Sequence, residues 1–286
     1  MRAWPRRSFA GQALLGVAAW PWLGGARAAE RKTLRVGVLP NLSTGVLLSN
    51  YQPLRAHLTR ELGRPVELYT AKGFTTFYRA MQAGQYDLVV IAAHMARLAQ
   101  REAGWAPIAT YRVEHRPLLL MSRSNLLVSV AGLAGGRLAI ADRAALLVIA
   151  ALQWLAAQGL RVGRDFRLVE FPTFNAAAHA LQQGEVQLAV GSPVTMRQTP
   201  PAILRELVVF QTLPRVPSQV WLVARPLRGE APRLQAALLK FAPGGADADR
   251  FFEATGNVAI DAIGADELHT LDAMADEAKA LMLVRP

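Results

Sequence analysis

The chain has 286 residues, 52 % apolar and 19 % charged, with no cysteine. That excludes an intrinsically disordered chain, and it excludes disulfides, thiolate metal sites, a cysteine nucleophile and a lipidated N-terminal cysteine. The formal charge is +11, but Arg2, Arg6, Arg7 and Arg27 fall in the first 28 positions, which hold no acid, and no basic run with interleaved aromatics comes after them. Nucleic acid is therefore not an expected partner; a mildly basic surface is.

Met1 to Arg7 is basic, residues 9–23 are mostly apolar, and Ala26-Arg27-Ala28 places small residues at alternate positions. Residues 1–28 thus read as a secretory signal cleaved after Ala28, too short to span a bilayer. Arg6-Arg7-Ser8-Phe9 resembles a twin-arginine export signal, with an ordinary signal carrying two arginines by chance as the alternative. Either route delivers a periplasmic protein. No later segment is long and apolar enough to span, so a protein that is not membrane-embedded is expected, working as a monomer.

Strand and helix patterns then alternate. Residues 33–39 alternate polarity and stop at Pro40; 51–62 carry Leu54, Leu58 and Leu62 at helical spacing, with Pro53 in the first turn and Gly63 at the end. Strands come next at 66–70 and 87–92, and helices at 75–83 and 95–103. Further strands are expected at 116–122 and 137–141, then a long helix at 143–158 capped by Asp142. The rest reads as strand 166–170, helix 175–183, strands 186–190, 207–211 and 220–224, and terminal helices. This order predicts an α/β fold with parallel-rich sheets flanked by helices. The segments AMQAGQYDLVVIA (80–92) and ALQQGEVQLAV (180–190) repeat one helix–Gly–strand unit. Two similar lobes explain the repeat, as would two ordinary connections in one sheet. The connector Leu213-Pro214-Arg215-Val216-Pro217 favours two lobes, with a cleft at a two-strand hinge. The expected division is lobe 1 at 29–120, lobe 2 at 121–215, and a return to lobe 1 with C-terminal helices at 216–286.

Leu34-Arg35-Val36-Gly37-Val38-Leu39-Pro40, Tyr51-Gln52-Pro53-Leu54, Glu61-Leu62-Gly63-Arg64-Pro65-Val66, Gly84-Gln85-Tyr86-Asp87-Leu88, Gly184-Glu185-Val186-Gln187 and Pro214-x-x-Pro217 occur in this order. Together they resemble the periplasmic phosphate-, phosphite- and phosphonate-binding proteins of ABC importers, over nearly all of the chain after residue 28. The resemblance implies a two-lobed type II periplasmic binding protein fold that closes on a small-molecule ligand and delivers it to an ABC permease. It also implies an anion site of hydroxyls and backbone N–H groups at a helix start after an Asp-Pro. Asp142 matches the aspartate, but Arg143 replaces the proline, and Ala144, Ala145, Leu146 and Leu147 supply no hydroxyl. Against the family's tyrosines stand Phe74 and Ile91, against its histidine Phe174, and against its acidic residues Val194 and Gln219.

The resulting candidates for ligand binding are Phe74, Thr75, Ile91, His94, Asp142, Phe174, Asn175, Val194 and Gln219. Ser43, Thr44, Ser192 and Thr195 are further polar candidates, and Trp221 a further apolar one. Ordinary roles compete for several of these. Asp142 can cap a helix, His94 can be packed or solvated, Thr75 can cap, Phe74 and Phe174 can belong to the core, and Arg143 can be a solvated surface arginine. With five scattered histidines and no cysteine, no metal site is expected, and no cofactor motif is present. No nucleophile elbow or paired metal-ligand motif suggests an enzyme. The expected function is capture of a solute other than a phosphonate for an ABC importer. The alternative is a periplasmic module that signals to a membrane sensor such as a histidine kinase.

Overall fold

The computed structural model describes residues 33–283. The expected signal segment, residues 1–28, lies outside them. Among the described residues no helix is long and apolar enough to cross a membrane.

The strands are β1 Leu34–Val38, β2 Val66–Tyr69, β3 Leu88–Ala92, β4 Ala106–Arg112, β5 Leu118–Ser122, β6 Arg137–Ile140, β7 Arg167–Glu170, β8 Leu188–Gly191, β9 Leu207–Thr212, β10 Gln219–Val223 and β11 Ala259–Ala262. The helices are α1 Thr44–Leu62, α2 Phe74–Gln82, α3 Ala93–Ala103, α4 Leu146–Ala157, α5 Phe174–Gln182, α6 Pro193–Arg197, α7 Pro201–Leu204, α8 Ala231–Leu239, α9 Ala246–Thr255 and α10 Asp272–Leu283.

Two mixed sheets result, ordered β11-β4-β10-β3-β1-β2 and β7-β6-β8-β5-β9. In the first, β1 lies parallel between β2 and β3; in the second, β6 lies parallel between β7 and β8. Each parallel trio is continued by an antiparallel strand, β10 beside β3 and β5 beside β8. The repeated unit seen in the sequence occupies the same place in both trios. Gln85 and Glu185 each donate N–H back to the carbonyl five residues earlier, past Gly84 and Gly184 at φ 70° and 75°. This is a helix end that only glycine adopts without strain.

Both faces of the first sheet are covered. Leu88, Val90 and Trp221 pack with the Leu47–Tyr51–Leu54–Leu58–Leu62 stripe of α1 and with Phe251, while Val89, Ile91 and Val220 pack with Phe77, Met81, Met95 and Leu98 on α2 and α3. The alternation along β3 reflects the two-residue period of a strand. In the second sheet, Leu119, Leu138 and Leu188 face Val148 and Leu155 of α4, and Leu120, Ala139 and Ala189 face Ala177 and Leu181 of α5.

Four elements, α1, α4, β4 and β11, depart from expectation. α1 starts at Thr44 rather than 51, so Pro53 sits inside the helix, where it cannot donate to the carbonyl of Ser49. Gly45 in the first turn, a poor helix former, masks the true start in the sequence. α4 starts at Leu146, with Ala145 as its N-cap, so Asp142 does not cap it. Instead Asp142 Oδ1 accepts the N–H of Ala144 (2.8 Å), forming a local turn before the helix. Finally, β4 and β11 form where no strand is expected.

The chain leaves the first sheet after Arg112 and enters the second at Leu118; it returns between Thr212 and Gln219. The two crossings are hydrogen-bonded to each other. Leu213 N–H donates to Pro117 O (3.0 Å), Val216 N–H to His115 O (2.9 Å), and His115 Nδ1 to Pro217 O (3.0 Å). All of β5 belongs to the second sheet, so this crossing lies a few residues before the expected position 121.

Away from the crossings, the halves also touch. His94 at the start of α3 is fully buried, and its Nε2 donates to the carbonyl of Ala144 (2.8 Å). Ala144, Leu146 and Ile149 join the core of the first half. Gln198, the C-cap of α6, donates to the carbonyl of Ala254 (3.1 Å), and Gln153 of α4 to Glu277 of α10 (2.8 Å). α10 is itself held to α3 by Arg97–Asp272 (2.6 Å) and Arg101–Asp276 (2.7 Å).

Substitutions at two positions test this packing. A Cβ on Gly37 would lie 2.8 Å from Tyr86 Cδ2 and 3.0 Å from Phe77 Cζ, in a ring stack with little room to yield. Gly37→Ala should cost about 1–3 kcal/mol in urea unfolding; an unchanged midpoint would refute the close packing. Burial lowers the His94 pKa to about 4 from 6.5. The unfolded chain then binds the proton first, so this contribution to stability is complete above pH 6.5 and is lost as pH falls toward 4. The loss should reach about 3 kcal/mol at pH 4. His94→Gln keeps a donor but does not titrate, so its stability should fall less than the parent's between pH 7 and 4 by about that amount. Parallel pH profiles for the two proteins would contradict the assignment.

Candidate functional site

A cavity of about 240 Å³ between the two sheets is lined by side chains from both. The first half contributes Asn41, Tyr51, Lys72, Phe74, Gln219 and Asn257, the second Asp142, Leu146, Leu147, Phe174, Ser192, Val194 and Thr195, and the crossings His115 and Ser218. The volume lies below the roughly 300–1,000 Å³ of pockets that hold drug-sized molecules, so it suits a small solute.

Phe74 and Phe174 are the first residues of α2 and α5, the equivalent helices of the two repeated units, and both line the cavity. Phe174 is fixed from behind. A Cβ on Gly191 would lie 2.7 Å from the Phe174 ring and 2.8 Å from Leu120 Cδ1, so only glycine lets the ring settle against β8. The two helix starts are finished differently. Thr173 caps α5, its Oγ1 accepting the N–H of Ala176 (3.2 Å), whereas the N-cap of α2 is Gly73, which has no side chain to offer.

Asp142 completes the arrangement from the opposite half. Desolvation raises its carboxyl pKa, opposed by hydrogen bonds from the backbone N–H groups of Ala144 and Phe74. The neighbouring guanidinium of Arg143 is engaged by Glu170 instead. Burial lowers the pKa of His115 and so favours its neutral form. Ser192 and Thr195 bond one another in a capping box at the start of α6, Ser192 Oγ accepting the N–H of Thr195 (3.1 Å) and Thr195 Oγ1 that of Ser192 (2.8 Å).

Of the nine residues singled out in the sequence, Phe74, Asp142, Phe174, Val194 and Gln219 line the cavity. The other four lie elsewhere. Ile91 is in the core beneath α2 and α3, and His94 is between the halves. Thr75 and Asn175 stand one residue beyond the phenylalanines, and the Asn175 Oδ1 accepts the hydroxyl of Thr199 (3.3 Å). Trp221 is fully buried against Tyr51 and Tyr111, and Ser43 and Thr44 are not part of the lining. Lys72, His115, Asn257 and Tyr51 line the cavity without having been singled out. His115 had a usable signal in its place at the crossing opposite Pro217; the others had none.

The solved structures most informative for this geometry share the fold at low identity. A binding protein component of an ABC phosphonate transporter from Pseudomonas aeruginosa matches with TM-score 0.76 and 15% identity, covering 88% of this chain and 89% of that one. PhnD1 from Prochlorococcus marinus, in complex with methylphosphonate, matches with TM-score 0.77 and 13% identity, over 87% and 98%. The periplasmic aliphatic sulphonate binding protein SsuA from Escherichia coli matches with TM-score 0.65 and 18% identity, over 88% of each. The α/β architecture of two mixed sheets is thus that of the type II periplasmic binding proteins. The family model described as "ABC transporter, phosphonate, periplasmic substrate-binding protein" matches residues 36–267, and the chain belongs to that family of solute-binding proteins.

Proposed function

We propose that this chain captures a small organic solute other than a phosphonate in the cleft between its two lobes, and presents the closed form to an ABC permease. In this reading residues 1–28 export it to the periplasm, by the twin-arginine or the general route, and it works as a monomer. The lobes meet at residues 113–117 and 213–218. Phe74, Asp142, Phe174, Val194 and Gln219 contact the solute.

The observation that carries the reading is the composition of the cavity wall around the start of α4. Ala145, Leu146, Leu147 and Val148 line it with aliphatic groups, and the charged side chain beside them is the carboxylate of Asp142. A buried phosphonate dianion needs charge-assisted hydrogen bonds, each worth ~1.5–3 kcal/mol. Among the described residues no arginine lines the cavity, and Lys72, its one lysine, is exposed. Two phenylalanines with scattered amides and hydroxyls suit an apolar body with a few hydrogen-bonding groups.

A thermal-shift panel tests this. Methylphosphonate, phosphite and phosphate are compared with uncharged, aromatic and carboxylate solutes. A ligand at a hundred times its Kd adds ~2.7 kcal/mol, or about 5–10 °C for a protein of this size. The expected result is a shift with an uncharged, aromatic or carboxylate solute and none with the phosphorus oxyanions. A clear shift with methylphosphonate would overturn the reading of the wall, and silence across the panel would favour the sensory alternative. With a ligand in hand, Gly191→Ala should drive the Phe174 ring into the cavity, costing about 1–3 kcal/mol of stability and weakening that ligand. Unchanged affinity would remove Phe174 from the contact set.

A further inference from the structure

We propose that His115 is a specificity-determining residue of the cleft: its imidazole offers the cavity a hydrogen-bond acceptor, Nε2, and no donor, so the solute must carry an N–H or O–H group at the hinge end of the cleft. The inference rests on the reading of the cavity as a solute site and deepens it by naming a group the solute carries and the residue that reads it.

His115 lies in the first crossing and lines the cavity together with Ser218 of the second. Its Nδ1 lies 3.0 Å from Pro217 O. A carbonyl oxygen can only accept, so Nδ1 is the ring nitrogen that carries the proton. A neutral imidazole has one N–H, which leaves Nε2 with a bare lone pair. Burial, which lowers the His115 pKa, keeps the ring in that neutral form. The backbone of the same residue is held as well, its carbonyl accepting the N–H of Val216 (2.9 Å). Flipping the ring would therefore cost the bond to Pro217. Among the described residues Nε2 has no hydrogen-bond partner.

The other polar groups of the wall do not impose this requirement at the hinge. The carboxamides of Asn41, Gln219 and Asn257 and the hydroxyl of Ser218 both donate and accept, so they suit a solute group of either kind. Lys72 only donates. Asp142 only accepts, but it stands in the second half with Oδ1 already taking the N–H of Ala144 (2.8 Å). His115 is thus the acceptor-only group of the crossings.

Desolvation turns this into selection. In an open cleft water can donate to Nε2, and a solute that fills the cavity displaces that water. A solute with an N–H or O–H at this place restores the bond. One without it leaves a buried acceptor unpaired, which lowers affinity by about 5–150-fold.

Two measurements test this. Ring-nitrogen NMR shifts distinguish the imidazole tautomers, and at neutral pH His115 should carry its proton on Nδ1. Isothermal titration then compares pairs in which fluorine replaces a hydroxyl: phenol with fluorobenzene, and para-hydroxybenzoate with para-fluorobenzoate. The hydroxyl member of each pair should bind about 5–150-fold more tightly. His115→Asn keeps an amide N–H for Pro217 O and removes Nε2. It should abolish the preference, weakening the hydroxyl members and changing the fluorinated ones little. His115→Phe keeps the bulk of the ring and serves should the asparagine protein fail to fold. A proton on Nε2, equal binding within both pairs, or a preference that survives the substitutions would overturn the inference. If the paired probes bind alike while methylphosphonate does not bind, the donor requirement fails and the solute-binding reading stands. If methylphosphonate alone binds, or no probe does, both fail.

Discussion

Two short crossings, at residues 113–117 and 213–218, carry the chain from one sheet to the other and back, and they are bonded to each other along their length. The bonds are few: Leu213 N–H to Pro117 O, Val216 N–H to His115 O, and the imidazole of His115 to Pro217 O. Yet the placement of both sheets and of the cavity depends on them. Pro117, Pro214 and Pro217 fix three φ angles within this small region, which limits how the crossings can bend. The chain crosses after four strands and again before β10, so β10 joins the first sheet, between β3 and β4, and β5 joins the second, between β8 and β9. This places both parallel trios with their helix starts toward the space between the sheets. α2, α4, α5 and α6 all begin there, and Phe74, Leu146, Phe174 and Val194 line it by virtue of being first or second in their helices.

The contacts that hold the halves together beyond the crossings are individually modest. A neutral hydrogen bond contributes about 0.5–1.5 kcal/mol net, and those from His94, Gln198 and Gln153 to the opposite half are of that order. His94 differs in being fully buried, with no partner for Nδ1 among the described residues. Separating the halves would hydrate that ring, so its environment rather than its single hydrogen bond makes the contact sensitive to acid. The insertion of Ala144, Leu146 and Ile149 into the first core adds an apolar component to the same seam. A solute needs only a few kcal/mol of differential contact to shift an equilibrium held by interactions of this size.

Most of this architecture was legible in the sequence, because strands buried on both faces and glycine-ended helices leave strong patterns. LVVIA in β3 and the paired units ending at Gly84 and Gly184 located both parallel trios. What escaped was local and has physical causes. β11 has four residues with Asp261 in its middle, and β4 begins beside Trp105 with Pro107 inside it, so neither shows clean alternation. α1 hid its start behind Gly45. The site was legible only as far as position in the chain determines direction. Successive helical residues point about 100° apart, so Phe74 and Phe174 reach the cavity while Thr75 and Asn175 turn away. Ile91 is set by strand alternation toward the α2–α3 side of its sheet. Asp142 lies before α4 as an ordinary cap would, and nothing in the sequence indicates that its partner is the Ala144 N–H in the turn ahead of the helix.

The two repeated units differ at their helix starts. They share strand order, helix length, glycine-terminated ends and an aromatic first residue, but Thr173 caps its own helix and Gly73 cannot. A capped α5 has its first turn satisfied by its own chain, whereas α2, which also meets the cavity through its first residue, receives no side-chain oxygen from its N-cap. Two otherwise alike units therefore bring unlike helix ends to the same space.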